Sequence, residues 1–247
     1  MENALLIGLS RQTALSRELD VIANNMANVT TNGFKARNAR FKEYLMPTAR
    51  ADAFPRQDQL LSYVIDSGTP LDLSSGSVEM TGNPLQAAIK GEGFFAVQNA
   101  AGTERYTRNG AFEVNARGQL VTGDGHLVLG QSGPITIGPE ETNVTIAPDG
   151  AVTTSQGERG RIRLVRFDNP QALKNEGVNL FSATEPAQPA VNARVEGGSI
   201  ERSNVKPVLE MSRLIEVNRS YTNIANMIGR MDELRRSAIS RLADAAA

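Results

Sequence analysis

One stretch limits the fold more than any other. At positions 214, 217, 221, 224, 228, 231, 235, 238 and 242, stepping alternately by three and four, stand Leu214, Val217, Tyr221, Ile224, Ile228, Met231, Arg235, Ala238 and Leu242. All but Arg235 are apolar, so a seam with the period of a coiled coil runs along one long helix. Arg213, Glu216, Arg219, Asp232, Arg236 and Arg241 take the other positions, where they suit water or a charged neighbour. A helix of roughly forty residues spans about 60 Å at about 1.5 Å per residue. A chain of 247 residues has no need of such an element at its very end unless the seam meets a partner, within the chain or on another one.

The opposite terminus offers one. Leu5, Leu9, Leu15, Leu19, Ile22 and Met26 recur at helical spacing, while Arg11, Arg17, Glu18 and Asp20 mark a polar face. Gly8 is the only glycine there and proline is absent. The next residues are unusual: Asn24, Asn25, Asn28 and Asn32 fall within nine positions, although Asn is a poor residue for a helix interior. Asn32-Gly33 is a turn signal, with Gly33 free to take positive φ, and Phe34 then packs back. Phe41, Tyr44 and Leu45 extend an apolar face beyond it. A helix end explains Asn32 and Gly33. Asn24, Asn25 and Asn28 together call for more, and buried amides on a helix face serve to fix register across an interface.

The middle of the chain reads differently. Residues 46–84 carry recurring Pro and Gly with little periodicity, as an extended connector would, and at that length it can lie along neighbouring chains. Residues 85–200 hold short strand signals bounded by Gly, Pro and Asp, including 94–97, 105–107, 111–114, 119–121, 127–129, 135–137, 144–146 and 151–153. Asp124-Gly125 and Asp149-Gly150 are hairpin dipeptides. Val114 and Leu120 flank Gly118 as Ile146 and Val152 flank Gly150, a weak internal echo. Arg161–Phe167 is the longest strand expected, and Asn169-Pro170 opens a short helix ending at Gly177. Pro207 fits the first turn of the last helix. The expected class is therefore α+β. Residues 1–45 and 201–247 supply long helices that form one coiled-coil domain, and a mostly antiparallel β-module at 85–200 is inserted between them.

Composition excludes several functions. Net charge is −1, which gives no general attraction to nucleic acid or anionic membrane. Cysteine is absent, which removes disulfides and thiolate chemistry. No apolar run approaches the roughly 20 residues of a membrane span. Leu5–Leu9 is too short an apolar patch, and too closely followed by charge, for a secretory signal. The single histidine, His126, sits in a Gly-Asp-Gly turn and reads as a surface loop residue. One His without Cys leaves zinc dependent on a carboxylate cluster, and none is visible. Gly91-Glu92-Gly93 lacks the third glycine and the helix of a dinucleotide loop, and reads as a turn entering a strand. Glu140-Glu141 is a loop pair. Asn28-Val29-Thr30 and Asn143-Val144-Thr145 match the glycosylation pattern, which recurs by chance. Arg230, Arg235, Arg236 and Arg241 make the last helix basic, but no aromatic platform accompanies them. No catalytic residue, cofactor or metal is assigned. An enzyme such as a muramidase needs paired carboxylates in a cleft, and a glycan-binding module needs aromatics, which are only 5% of the chain.

Several of these stretches resemble one family. Ala23-Asn24-Asn25-Met26-Ala27-Asn28-Val29-Thr30-Thr31-Asn32-Gly33-Phe34-Lys35 is similar to the N-terminal signature of the axial proteins of the bacterial flagellum, the rod and hook group. Gly91–Val97, Tyr106–Phe112 and Gly118–Val121 resemble its β-module, and Ser203-Asn204-Val205, Glu210-Met211, Leu214-Ile215 and Arg219-Ser220-Tyr221 its C-terminal signature. Proximal-rod members are the nearest in compact length and opening residues, distal-rod members next. Met26 stands where Leu is commoner, which packs equally well. The resemblance implies a structural subunit, exported through the flagellar type III apparatus without cleavage. It would be built into the basal-body rod within the periplasm, with terminal helices in an inner layer and the β-module outside. Its partners are then its own copies, other rod proteins and the export apparatus, with no nucleic acid and no transmembrane segment. The expected assembly residues are Leu5, Leu9, Leu19, Ile22, Asn24, Asn25, Met26, Asn28, Gly33 and Phe34 at one end. At the other they are Leu214, Val217, Tyr221, Ile224, Ile228 and Met231. An open helical array requires head-to-tail contacts.

Overall fold

The computed structural model describes residues 2–46, 61–66, 68–177 and 179–245. Residues 47–60, which belong to the expected connector, lie outside the described residues, as do the side chains of Tyr44, Leu45 and Leu242. The chain is α+β, a helix, a β-rich middle and a second helix, and it divides into two compact units. One unit comprises residues 1–26, 37–70 and 206–247. The other comprises 27–36 and 71–205.

In the first unit, helix α1 runs Glu2–Ala27 and helix α2 Pro207–Ala245. Pro207 is the first helical residue of α2, where its missing N–H would have no helical partner in any case. The two helices run antiparallel: a methyl group placed on Gly8 would stand 3.2 Å from Ile228 Cγ1, and Arg213 pairs with Glu18 at 3.2 Å. Val217 is buried on the seam of α2, and Leu214, Tyr221, Ile224, Ile228 and Met231 are half-buried. Past Asp232 the described side chains of α2 are exposed, Arg235 and Ala238 of the seam included. Two flanking strands, Phe41–Met46 and Leu61–Asp66, pair antiparallel with Phe41 opposite Asp66. Part of the stretch whose sequence lacks periodicity is therefore a hairpin.

The second unit is built on the strand Phe94–Gln98, which is flanked by Glu104–Thr107 and Leu127–Gly130 and met at its start by Leu164–Arg166. Alternation sends its side chains to two cores. Phe95 joins Ile89, Phe112, Leu120, Val128 and Val152. Phe94 and Ala96 join Leu129, Val165, Phe167 and Phe181. Phe95 meets Phe112 edge-on at 5.1 Å, and Phe94 meets Phe181 at 5.7 Å. A chain poor in aromatics thus spends several of its phenylalanines on both faces of one strand.

The internal echo is a repeated hairpin. Val114 pairs with Leu120, and Ile146 with Val152. In both loops the glycine, Gly118 or Gly150, has positive φ and donates its N–H to a carbonyl three residues earlier, at 2.9 and 2.8 Å. The long strand expected at 161–167 is instead split into Gly157–Arg161 and Leu164–Arg166. Ile162 bridges Gly130 and donates its N–H to Gly150, so the chain changes sheets there. The helix expected at 169–177 is a single 3-10 turn, Pro170–Ala172, because Leu173 turns extended to enter the core. Residues 135–137 form no named strand, although Ile135 is buried.

Replacing Phe95 by Ala removes the ring that centres the larger core, and is expected to lower unfolding stability by about 3–5 kcal/mol. Urea unfolding of the purified chain measures this. A loss below about 1 kcal/mol would contradict the packing described.

Candidate functional site

The Asn-rich segment is where the chain passes from one unit into the other and back. Asn25, at 1% exposure, donates its Nδ2 to the Arg37 carbonyl at 2.9 Å and accepts the Arg37 N–H on Oδ1 at 3.0 Å. Both residues belong to the first unit. This double bond to one peptide closes the neck of a ten-residue excursion, 27–36, that is part of the second unit. Asn28 caps the turn that follows α1: Thr31 donates both its N–H and its hydroxyl to Asn28, each at 3.2 Å.

Within the second unit this strap is locked by backbone and side chains alike. Gly33 has φ +69°, and a Cβ there would lie 2.5 Å from the Arg108 carbonyl carbon and the Asn109 nitrogen. Its N–H donates to the Glu201 carbonyl at 2.7 Å. Phe34, Ala36 and Val205 form a small core of their own. Asn204 Oδ1 accepts the Ala36 N–H at 2.7 Å while its Nδ2 donates to the Asp72 carbonyl at 2.8 Å, so one amide bridges the strap and the loop after residue 70.

The electrostatic centre of the arrangement is Glu201, whose side chain is fully buried. Lys35 Nζ lies 2.6 Å from Oε1 and Arg108 Nη1 lies 3.2 Å from Oε2, their side chains 1% and 4% exposed. Gly76 adds an N–H to Oε1 at 3.0 Å. Lys35 also donates to the Ser74 carbonyl at 2.8 Å, and Arg108 to the Gly91 carbonyl at 2.8 Å. The Arg108 guanidinium lies 5.5 Å from the centre of the Phe94 ring. Burial holds the Lys35 ammonium below its usual pKa, and the Glu201 carboxylate offsets this only in part. Burial acts on Arg108 in the same direction. Two cations share this one buried anion; Asp72 also acts on Lys35 and Glu92 on Arg108, and backbone carbonyls and the Phe94 face complete the cluster.

The other residues expected at an assembly surface have mixed positions. Ile22 and Phe34 are buried, and Leu5, Leu19 and Met26 are half-buried. Leu9 is 51% exposed and Asn24 is exposed. Lys35, Arg108 and Glu201 are not singled out by sequence reasoning. Lys35 and Arg108 do stand in stretches that carry the family resemblance, whereas nothing local marks Glu201. Exposed apolar side chains gather on the helices, with Leu6 on α1 and Val208, Leu209, Met211, Ile215, Leu234 and Ile239 on α2. On the β-rich unit a cleft of about 780 Å³ passes Glu104, Tyr106, Arg161 and Arg163. Its charges pair with one another, Arg163 with Glu104 at 2.5 Å and Arg161 with Asp149 at 2.7 Å. Burial first, then Glu104, pushes the Tyr106 hydroxyl up to about 12.

Comparison with known proteins gives three family matches in chain order. Residues 5–35 match the flagella basal body rod protein family, residues 88–154 the D1 domain of the flagellar hook protein FlgE/F/G, and residues 196–241 the C-terminal region of the flagellar basal body rod FlgEFG proteins. Lys35, Arg108 and Glu201 fall one in each. The flagellar basal-body rod protein FlgF of Caulobacter vibrioides is 42% identical over 98% of both chains. FlgF of Mesorhizobium japonicum is 35% identical over 92% of both, and the rod protein FlgG of Agrobacterium fabrum is 33% identical over 94% of this chain and 96% of its own.

Two outcomes are expected at the strap. Glu201→Ala leaves two buried cations facing each other and should destabilise the β-rich unit by about 3–5 kcal/mol in chemical denaturation. Loss of less than about 1 kcal/mol would contradict the cluster's role. Gly33→Ala places a methyl group against the Arg108 backbone, so the strap should undock and trypsin should cut after Lys35 far faster than in the unaltered chain. Unchanged cleavage at Lys35 would show that the close approach is absent in solution.

Proposed function

The chain belongs to the flagellar basal-body rod protein family, and we propose that it enters the rod by polymerising through α1 and α2. It is a structural subunit of the rod and not an enzyme. The identity to the FlgF of Caulobacter vibrioides, 42% over 98% of the chain, exceeds the 33% to the FlgG of Agrobacterium fabrum, so the proximal rod is the position proposed for it. The terminal helices form an inner coiled-coil layer there, the β-rich unit lies outside them, and copies and other rod proteins are the neighbours. Export through the type III apparatus without a cleaved signal, to a rod within the periplasm, completes the reading.

The observation that carries it is the apolar surface left over on both helices. Leu9 at 51%, Val208 at 78%, Met211 at 53% and Leu234 at 66% exposure are costly on a protein that ends as a monomer. Burying each such side chain contributes roughly 1.5–3 kcal/mol. Ordering the helices costs about 1–2 kcal/mol per residue of backbone. Contacts within one chain do not clearly outweigh that cost, and contacts with neighbours add to them. The helices are therefore expected to order on assembly, which holds back polymerisation before export.

Amide hydrogen exchange on the dilute, purified chain checks this. Fast exchange is expected in residues 2–26 and 210–240 beside slow exchange in the β-rich unit and its strap. Strong protection of both termini in the monomer would defeat the proposal that assembly orders them.

A further inference from the structure

Asparagine followed by glycine is the dipeptide most prone to lose its side-chain amide, because glycine has no Cβ to hinder its own backbone nitrogen. That nitrogen gives up its proton and attacks the asparagine Cγ, and ammonia leaves. Water then opens the cyclic imide at either carbonyl, so the residue becomes aspartate or isoaspartate. The chain holds two such dipeptides, Asn32-Gly33 and Asn109-Gly110. The fold lays one against the other, with the Cβ position of Gly33 at 2.5 Å from the Asn109 nitrogen.

The groups that must react at Asn32 are engaged elsewhere. The Gly33 N–H donates to the Glu201 carbonyl at 2.7 Å, which keeps the proton on the attacking nitrogen. Asn32 Oδ1 accepts from Arg202 Nη1 at 3.0 Å, and the Asn32 carbonyl accepts from Asn179 Nδ2 at 2.7 Å. Side chain and peptide are thus both fixed, and neither can turn toward the other. All three partners lie outside the strap, so all three contacts are lost when the strap leaves. Asn109 is held from within: its N–H donates to Thr107 Oγ1 at 3.0 Å, its Oδ1 accepts the Ala111 N–H at 3.1 Å, and Ala87 donates to the Gly110 carbonyl at 3.0 Å. None of those bonds runs to the strap.

We propose that Asn32 is a deamidation site gated by the strap, closed while the strap is docked and open in any chain whose strap is free. The two products differ in what they permit. Aspartate keeps the main chain unchanged and offers a carboxylate to Arg202, which already pairs with Glu79 at 2.7 Å. Isoaspartate adds a methylene to the main chain directly before Gly33. There the backbone has no room to shift, since even a Cβ on Gly33 would lie 2.5 Å from the Arg108 carbonyl carbon. A strap carrying isoaspartate therefore cannot dock again. Chains kept unfolded steadily lose the ability to complete the β-rich unit, whereas folded chains keep it.

Peptide mapping by mass spectrometry follows Asn32 and Asn109 separately while the full chain is incubated at mildly alkaline pH, folded or in urea. Asn32 is expected to react at least about tenfold more slowly in the folded chain, the factor set by how rarely the strap opens. Equal rates in the two conditions overturn the proposal. Phe34→Ala removes the ring that packs the strap against Val205, and Asn204→Ala removes the amide that binds Ala36; both keep the Asn32-Gly33 dipeptide. Without urea, each should speed the reaction at Asn32 and leave Asn109 at its folded rate. No acceleration at Asn32, or equal acceleration at both sites in both variants, overturns gating by the strap. Chain aged in urea and then refolded checks the products. Trypsin should cut rapidly after Lys35 in molecules bearing isoaspartate, and slowly in those bearing aspartate or made as Asn32→Asp. Equal cleavage of the two forms overturns the claim that isoaspartate prevents docking.

Discussion

A buried carboxylate holds together parts of the chain that are far apart in sequence. Glu201 lies 166 residues from Lys35 and 93 from Arg108, yet binds both, and Gly76 adds a backbone N–H. Such a cluster contributes less net stability than an apolar core of similar size, because three charges leave water to form it. It supplies selectivity instead: with one member missing, the others are stranded in a low-dielectric site. The strap 27–36, the loop after residue 70 and the segment leading into α2 must therefore reach the β-rich unit together.

The consequence for the helices is geometric. Asn25 ties the end of α1 to Arg37, so the strap leaves and re-enters the first unit at one point. Val205, packed with Phe34, lies two residues before α2 begins at Pro207. In sequence, α1 thus runs into the strap and α2 follows the segment that ends at Val205.

Much of the fold was legible because it depends on short-range pattern. Alternate steps of three and four required α2, Pro207 marked its start, and the Gly118 and Gly150 echoes became matching hairpins. What stayed hidden depends on distant partners. Arg161–Phe167 reads as one long strand, yet Ile162 is drawn to Gly130 and Gly150 and breaks it. The segment 71–77 lacks period because its hydrogen bonds scatter, Leu71 to Gln171, Asp72 to Ala36 of the strap, Gly76 to the Glu201 side chain and Ser77 to Arg202. At the site, Gly33 was marked by its turn, and its role became visible only with the Arg108 backbone beside it. Lys35 reads as one more surface cation, since no local signal distinguishes a lysine bound for a buried carboxylate.

The physical division of labour is consistent. The β-rich unit completes its own cores, with Phe94 and Phe95 filling both sides of one strand, while α1 and α2 keep apolar faces that one chain does not cover. Electron cryomicroscopy of isolated basal bodies tests that division most directly. The account predicts density for this chain in the rod, with α1 and α2 enclosed among helices of neighbouring subunits. Density for the chain outside the rod, or helices that face solvent along their length, would contradict it.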